Sequence, residues 1–175
     1  LQLTEHLGEM IHLQPGQRVL DVASGPGTSA IALAQRYGCH VLGIDYSAEA
    51  AEKAARVVED MGLSHLVSFQ QGDAERLPVP DNAFDAVICE CAFCTFPDKQ
   101  TAAAEFVRVL KVGGRLGLSD LTRTGDVPAD LQGLLAWIAC IADAQPIREY
   151  ARYLSQAGLI LDQIELHDNA LLELV

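Results

Sequence analysis

The sequence predicts an α/β fold, with a doubly wound, mostly parallel sheet and helices on both faces. Two observations predict it: apolar runs rich in Val, Ile and Leu alternate with helical patterns, and the first three helical patterns each stop at a glycine. Consecutive strands of one sheet that are joined through a helix lie parallel, and the crossover between them is right-handed. The 175 residues suit a single domain (1–175), with residues 17–120 as its regular core and residues 121–175 as a less regular remainder.

Five strands alternate with three helices through the core. The apolar runs that predict strands lie near residues 17–23, 40–45, 65–70, 84–91 and 114–120. The helical patterns run over residues 28–37, 48–61 and 100–111. Ser47 is a suitable N-cap for the second helix, because its hydroxyl can accept a hydrogen bond from an unpaired amide of the first turn.

Beyond Asp120 the regular alternation stops. Helical patterns at 130–142 and 146–157 precede an apolar run at 159–167, which predicts a sixth strand, and another helix is expected to begin near residue 169. No pattern for a seventh strand follows. We therefore expect the C-terminal hairpin to be incomplete.

The net charge indicates which partners to expect, and the cysteine content indicates the cellular compartment. Twelve Lys and Arg against 24 Asp and Glu give a net charge of −12, so we expect neither a nucleic-acid nor a membrane partner. No apolar stretch approaches the roughly 20 residues that span a bilayer. The five cysteines form an odd, scattered set typical of a reducing compartment, and we expect a cytoplasmic protein. Composition does not indicate an oligomeric state.

A glycine turn after the first strand is the first candidate binding site. The run from Val19 to Gly27 passes from a strand into this turn, and Gly25 to Ala30 has the G-x-G-x-x-A spacing of dinucleotide-binding loops. Glycines let the backbone approach a ligand closely, and Asp45 at the end of the second strand can accept hydrogen bonds from ribose hydroxyls. The turn therefore predicts an adenosine-containing ligand.

Two residues favour a ligand without phosphates. Pro26 lacks the backbone N–H that a pyrophosphate at a helix start would use. Asp21, near the end of the first strand, would repel a pyrophosphate but attract a cationic amino group. A dinucleotide-dependent enzyme is therefore the disfavoured alternative.

With these motifs in order, residues 17–120 resemble the class I S-adenosylmethionine-dependent methyltransferases, which have a Rossmann-like sheet. The run 19–27 is similar to their glycine motif, 41–45 to their ribose-binding strand, 71–78 to their adenine loop, and 84–87 with 110–116 to their later motifs. The resemblance implies S-adenosylmethionine as the cofactor and a set of cofactor-binding residues: Asp21, Ala23, Ser24, Gly25, Gly27, Asp45, Tyr46, Asp73, Ala74 and Glu90. Ala23 stands where this family usually has its first glycine.

Simpler roles are open for several of these residues. An Asp at a strand end, such as Asp45 or Asp73, is as often a turn or capping residue. Tyr46 could pack on the adenine edge or in the core. The intact order and spacing of the motifs favour cofactor binding.

Cysteines concentrate near the end of the fourth strand, which faces the expected methyl group. In the runs 91–98 and 139–144 the chain is similar to arsenite methyltransferases, and Cys91 and Cys140 stand at nearly the separation of their paired cysteines. The resemblance implies that these two thiols are catalytic and ligate trivalent arsenic as the substrate, a soft centre that suits thiolates. Free cysteine often behaves as a small hydrophobe, so we expect packing roles for the others: Cys39, Cys89 and Cys94.

Two other functions are open. One is methyl transfer to a small organic amine, phenol or quinol, with Glu90 or a nearby histidine as a catalytic group that helps proton removal. The other is a non-catalytic domain that binds a nucleotide cofactor. The histidines at positions 6, 12, 40, 65 and 167 form no cluster along the sequence, and a single histidine is more often a surface or structural residue than a general base.

Overall fold

The computed structural model describes residues 2–125 and 143–167. Its centre is a five-stranded sheet in the order β3-β2-β1-β4-β5, and every strand pair is parallel. The strands are β1 (Arg18–Val22), β2 (His40–Asp45), β3 (Val67–Gln71), β4 (Phe84–Glu90) and β5 (Leu110–Ser119). The predicted α/β fold is confirmed, and the strand order reverses between β1 and β4.

Helices cover both faces of this sheet. They are α1 (Gln2–Met10), α2 (Thr28–Tyr37), α3 (Ala48–Asp60), α4 (Lys99–Val109) and α5 (Ile147–Ala157). Val19 packs in one core cluster with buried residues of α1, α2 and α3, whereas Leu20 and Val22 pack in the other with buried residues of α4 and α5. Because alternate residues of a strand face opposite sides, β1 contributes to both cores.

Local sequence signals set several helix ends. Gly38 ends α2 with a φ of 66°, and the Ser47 side chain caps α3 by accepting a hydrogen bond from the N–H of Ala50 at 3.2 Å, as predicted. The next helix, α4, begins one residue before its predicted start. Asp98 caps it by accepting a hydrogen bond from the N–H of Thr101 at 3.0 Å.

Two predicted elements extended too far at their C-terminal ends. The helix predicted over 100–111 ends at Val109, because Leu110 is already extended and pairs with Phe84. The strand predicted over 84–91 ends at Glu90, because Cys91 has a φ of 52° and leaves the extended conformation. The β-strand alternation therefore does not extend to Cys91.

The predicted sixth strand was wrong. Residues 159–167 form no strand and are mostly exposed, and among residues 2–125 and 143–167 none pairs with them in a sheet. An apolar run becomes a strand only where a neighbour offers a ladder of backbone hydrogen bonds.

The predictions at 130–142 and from 169 onward lie outside the described residues, and α1 is a helix that the sequence pattern did not predict. None of the described helices combines the length and apolar character needed to cross a membrane.

Candidate functional site

Three carboxyl groups lie near the carboxyl ends of β1, β2 and β4. Asp21 is the fourth residue of β1, Asp45 ends β2 and Glu90 ends β4. Both other acids are close enough to act electrostatically on Asp21. Ligands of parallel sheets bind where the strand order reverses, and that point lies between β1 and β4. The structure thus brings together three acids that the sequence indicates.

Asp21 is buried with an incomplete set of partners. Its side chain is 2% exposed, and its Oδ2 has no hydrogen-bond partner in the described part of the chain. Burial, and after it the charges of Glu90 and Asp45, raises the pKa of Asp21 to about 8. A buried carboxylate without compensation costs free energy, so a cation beside Asp21 would favour its charged form.

The turn after β1 has a left-handed backbone at three positions. The φ values of Ala23, Gly25 and Gly27 are 59°, 51° and 80°. A β-carbon at Gly27 would clash with Cζ of Phe69, whereas one at Gly25 would meet nothing within 4 Å, so the turn faces open space there. The Oγ of Ser24 is buried and has no hydrogen-bond partner within residues 2–125 and 143–167. It is a second polar atom that a ligand could satisfy.

Asp45 holds the turn in place. Its Oδ2 accepts a hydrogen bond from the N–H of Gly25 at 2.8 Å, and its Oδ1 accepts one from the N–H of Ser47 at 2.9 Å. Each carboxylate oxygen can accept a second hydrogen bond, which leaves capacity for a pair of hydroxyls. Tyr46 is 76% exposed, so it is not a core residue and its ring is open to a planar ligand.

The loop after β3 lies at the same edge of the sheet. Gly72 donates its N–H to the carbonyl oxygen of Asp45 at 2.9 Å. Asp73 is exposed, and its Oδ1 accepts a hydrogen bond from the N–H of Glu75 at 2.9 Å, which is a turn-forming role. Ala74 is half-buried against the core. Asp73 therefore shapes its loop and retains acceptor capacity.

Two hydroxyl groups orient Glu90. Its Oε2 accepts hydrogen bonds from Oγ1 of Thr4 at 2.9 Å and from Oγ of Ser29 at 2.5 Å. These donors come from α1 and α2, and Thr4 is buried. Sequence reasoning missed both: 86 positions separate Thr4 from Glu90, and no local pattern reports such a contact.

A cavity of about 320 Å³ lies beside this site. Its walls come from α1, β5, α5 and the segment after α5, and Cys91 and Asp120 line it near the ends of β4 and β5. The Oδ2 of Asp120 accepts a hydrogen bond from the N–H of Cys94 at 2.8 Å, and its Oδ1 accepts one from the N–H of Leu121 at 2.7 Å. The cavity is lined mainly by apolar side chains with a few fixed polar groups, as ligand pockets commonly are.

The cysteines differ in exposure. Cys39, Cys89 and Cys94 are buried, as predicted, whereas Cys91 is exposed and lines the cavity. Burial raises the pKa of the Cys39 thiol to about 11, and burial also raises the pKa of Cys89. Both thiols are therefore held neutral, as packing residues would be. Cys140 lies outside the described residues, so its separation from Cys91 stays a prediction.

Two of the histidines come together in the fold, which their positions along the sequence did not indicate. The rings of His6 and His167 lie 5.6 Å apart between centroids, and each has its Nε2 within hydrogen-bond distance of Oε2 of Glu165. Sequence reasoning missed this group because it judged the histidines by their spacing along the chain, whereas the fold places α1 against the segment after α5.

Comparison with known proteins gives a consistent family. The methyltransferase domain family matches residues 20–118. An arsenite methyltransferase of Halobacterium salinarum is 32% identical over 161 residues, which cover 90% of this chain and 41% of that protein. The chain spans 60% or less of the length of the curated relatives it matches first.

Solved structures show the same fold with more than one described activity. A structure described as the [4+2]-cyclase SpnF superposes with a TM-score of 0.81 at 32% identity, covering 92% of this chain and 58% of that one. A geranyl diphosphate methyltransferase in complex with S-adenosylmethionine superposes with a TM-score of 0.79 at 25% identity, covering 89% of this chain and 63% of that one.

Proposed function

Because this chain belongs to the class I S-adenosylmethionine-dependent methyltransferases, we propose that it transfers the methyl group of this cofactor to a small-molecule acceptor. The observation that carries the proposal is the buried Asp21 carboxyl beside an open glycine turn, with one oxygen that no described residue satisfies. A carboxyl in this state suits a cationic ligand, and the amino group of a methionine tail is one.

The residues around the turn fit the rest of the cofactor. Asp45 has acceptor capacity for the ribose hydroxyls, and the exposed ring of Tyr46 is available to adenine. Asp73 and the backbone N–H of Ala74 are proposed to recognise the adenine edge. When bound, S-adenosylmethionine supplies an activated methyl group on a sulfonium, so the protein mainly has to bind, orient and desolvate the two reactants.

Glu90 is proposed to line the same site as Asp21. Thr4 and Ser29 fix its carboxylate by two hydrogen bonds, and its charge acts on Asp21. A carboxylate held in this way can accept a hydrogen bond from an acceptor nucleophile, which would help proton removal from an amine, phenol or quinol.

Calorimetry with S-adenosylhomocysteine and with NAD tests the cofactor assignment. We expect saturable binding of S-adenosylhomocysteine and none of NAD. Replacing Asp45 by Ala should weaken S-adenosylhomocysteine binding by about 1 to 3 kcal/mol, the scale of lost hydrogen bonds to a charged group. Asp60→Asn, an exposed change at the end of α3, is the control and should bind as the wild type does. Tight binding of NAD with no response to S-adenosylhomocysteine would overturn the assignment.

Trivalent arsenic is a specific candidate for the acceptor. It is favoured by the exposed thiol of Cys91 in the cavity wall, and by the likeness to an arsenite methyltransferase. Cys91 and Cys140 are proposed to replace oxygen ligands of arsenite, which leaves the arsenic lone pair as the nucleophile and needs no general base. Arsenite titration of Cys91→Ser and Cys140→Ser tests this pair, with Cys39→Ala as the control. Unchanged arsenite binding in both serine variants would end this proposal.

Turnover assays separate the acceptor classes. Labelled S-adenosylmethionine should transfer its methyl group either to arsenite in the presence of thiol or to a member of a panel of small amines, phenols and quinols. Loss of transfer in Cys91→Ser would favour arsenic, and loss in Glu90→Gln with Cys91→Ser active would favour an organic nucleophile. Cofactor binding with no transfer to any acceptor would instead favour a non-catalytic domain.

A further inference from the structure

The structure joins two distant parts of the chain through three ligand-type side chains. His6 lies in α1, and Glu165 and His167 lie in the exposed segment after α5. The Nε2 atoms of His6 and His167 are 2.6 Å and 3.1 Å from Oε2 of Glu165, and the three ligand atoms all lie within 4.8 Å of one another. Glu165 and His167 are two residues apart in a segment that forms no strand, and the side chains of both lie close to His6.

From this geometry we infer that His6, Glu165 and His167 form a binding site for one divalent transition-metal ion of the Zn²⁺ class. Two imidazoles with one carboxylate is a ligand set that holds such ions and leaves a coordination position open. A zinc–ligand bond is about 2.1 Å long, so two ligands of one ion lie up to about 4 Å apart. The three side chains need to move by less than about 1 Å to reach that spacing.

A neighbouring side chain supports the carboxylate. Nε2 of Gln163 donates a hydrogen bond to Oε1 of Glu165 at 2.7 Å, while Oε2 faces the two imidazoles. Metal-bound carboxylates are commonly held by such an outer hydrogen bond, which fixes their orientation. The arrangement therefore contains a ligand set and an outer partner for it.

The partial exposure of the three side chains favours a role as metal ligands over a role as a stabilising ion pair. The side chains of His6, Glu165 and His167 are 41%, 31% and 43% exposed. A partly exposed His–carboxylate pair contributes little to stability, whereas the same exposure gives an ion access from solvent and leaves room for a water ligand.

The site lies on the wall of the cavity that also contains Cys91. The ion would tie residues 163–167, which form no strand, to α1, whose Thr4 donates to Glu90. Metal binding would therefore fix one wall of the cavity. His6, Glu165 and His167 lie outside the proposed cofactor site, and metal binding by them does not depend on which methyl acceptor is used.

Metal titration of the chelator-treated 175-residue chain tests the site. With Co²⁺ under reducing conditions, we expect one bound equivalent and a visible spectrum of nitrogen and oxygen ligation without a thiolate charge-transfer band. His6→Gln and His167→Gln keep polar side chains but should weaken binding by more than about 100-fold, since removal of an outer partner alone can cost up to about that factor. His65→Gln, in an exposed turn, is the matched control and should bind as the wild type does.

Thermal unfolding supplies an independent readout. Zn²⁺ should raise the melting temperature of the wild type and of His65→Gln, and should leave that of His6→Gln and His167→Gln unchanged. Equal binding by all four proteins, a thiolate band that disappears in Cys91→Ser, or no saturable binding by the wild type at millimolar metal would each overturn the inference.

Discussion

Asp21 lowers the stability of the protein while it prepares the proposed site. Its folded pKa of about 8 lies above the value of about 4 for an Asp in an unfolded chain. Between these two values the folded state binds more protons than the unfolded state, so the free energy of unfolding falls as the pH rises. The cost of ionising Asp21 is fully present above about pH 8 and absent below about pH 4.

Replacing Asp21 by Asn should therefore stabilise the protein without cofactor and weaken cofactor binding. The difference in unfolding free energy between variant and wild type should grow by up to about 1.4 kcal/mol per pH unit between the two pKa values. Urea unfolding at several pH values measures it, and calorimetry with S-adenosylhomocysteine measures the loss of affinity. A variant as stable as the wild type at every pH, or one with undiminished affinity, would contradict this role.

Ala23 stores strain in the glycine turn. Its φ of 59° lies in the left-handed region, where a β-carbon costs about 1 to 2 kcal/mol relative to glycine. Ala23→Gly should raise the free energy of unfolding by about 0.5 to 1 kcal/mol after the extra entropy of glycine in the unfolded chain is subtracted. The control is Ala104→Gly, an exposed change within α4, which should destabilise by about 1 kcal/mol. Denaturant unfolding of both variants compares them, and destabilisation by both would refute the strain.

At the scale of whole elements, α1 has two roles that the sequence pattern did not indicate. It packs Leu7 against one face of the sheet, next to Ile11 in the turn that follows, and it supplies Thr4 to Glu90. A helix with few local signals can be fixed by such tertiary contacts, since packing provides most helical stability in proteins. The segment 159–167 shows the opposite case, because its apolar pattern found no strand partner.

Removing the Thr4 hydroxyl tests the link between α1 and the site. Thr4→Val keeps the shape of the side chain but removes a partly buried hydrogen bond to a carboxylate, so the free energy of unfolding should fall by about 1.5 to 3 kcal/mol. Methyl transfer should fall as well, since Glu90 loses one of two groups that orient it. The control is Thr101→Val, whose hydroxyl bonds an exposed carboxylate and should matter less. An equal loss in both variants would show that α1 has no special role.

For the molecule as a whole, the net charge of −12 predicts that nucleic acid is not a partner. Phosphate backbones should be repelled, so we expect no shift of DNA or RNA in a mobility assay at physiological salt. A shift that disappears at higher salt would reveal a local basic surface and would contradict this expectation.

The site was predictable in proportion to how local its signals are. The glycine turn, Asp21, Asp45 and the loop at Asp73 follow from motifs of a few residues, because each strand end and its turn are encoded together. Those motifs also identified the family, which the match over residues 20–118 confirms.

By itself, the sequence determined the alternation of five strands with three helices over residues 17–120, the glycine turn and the family, because hydrophobic periodicity and turn residues act over short stretches of chain. Only the tertiary structure decided that Oδ2 of Asp21 has no hydrogen-bond partner among the described residues, that Thr4 and Ser29 hold Glu90, and that two distant histidines meet at Glu165. Burial and long-range contact depend on how whole elements pack, and no short stretch of sequence encodes that packing.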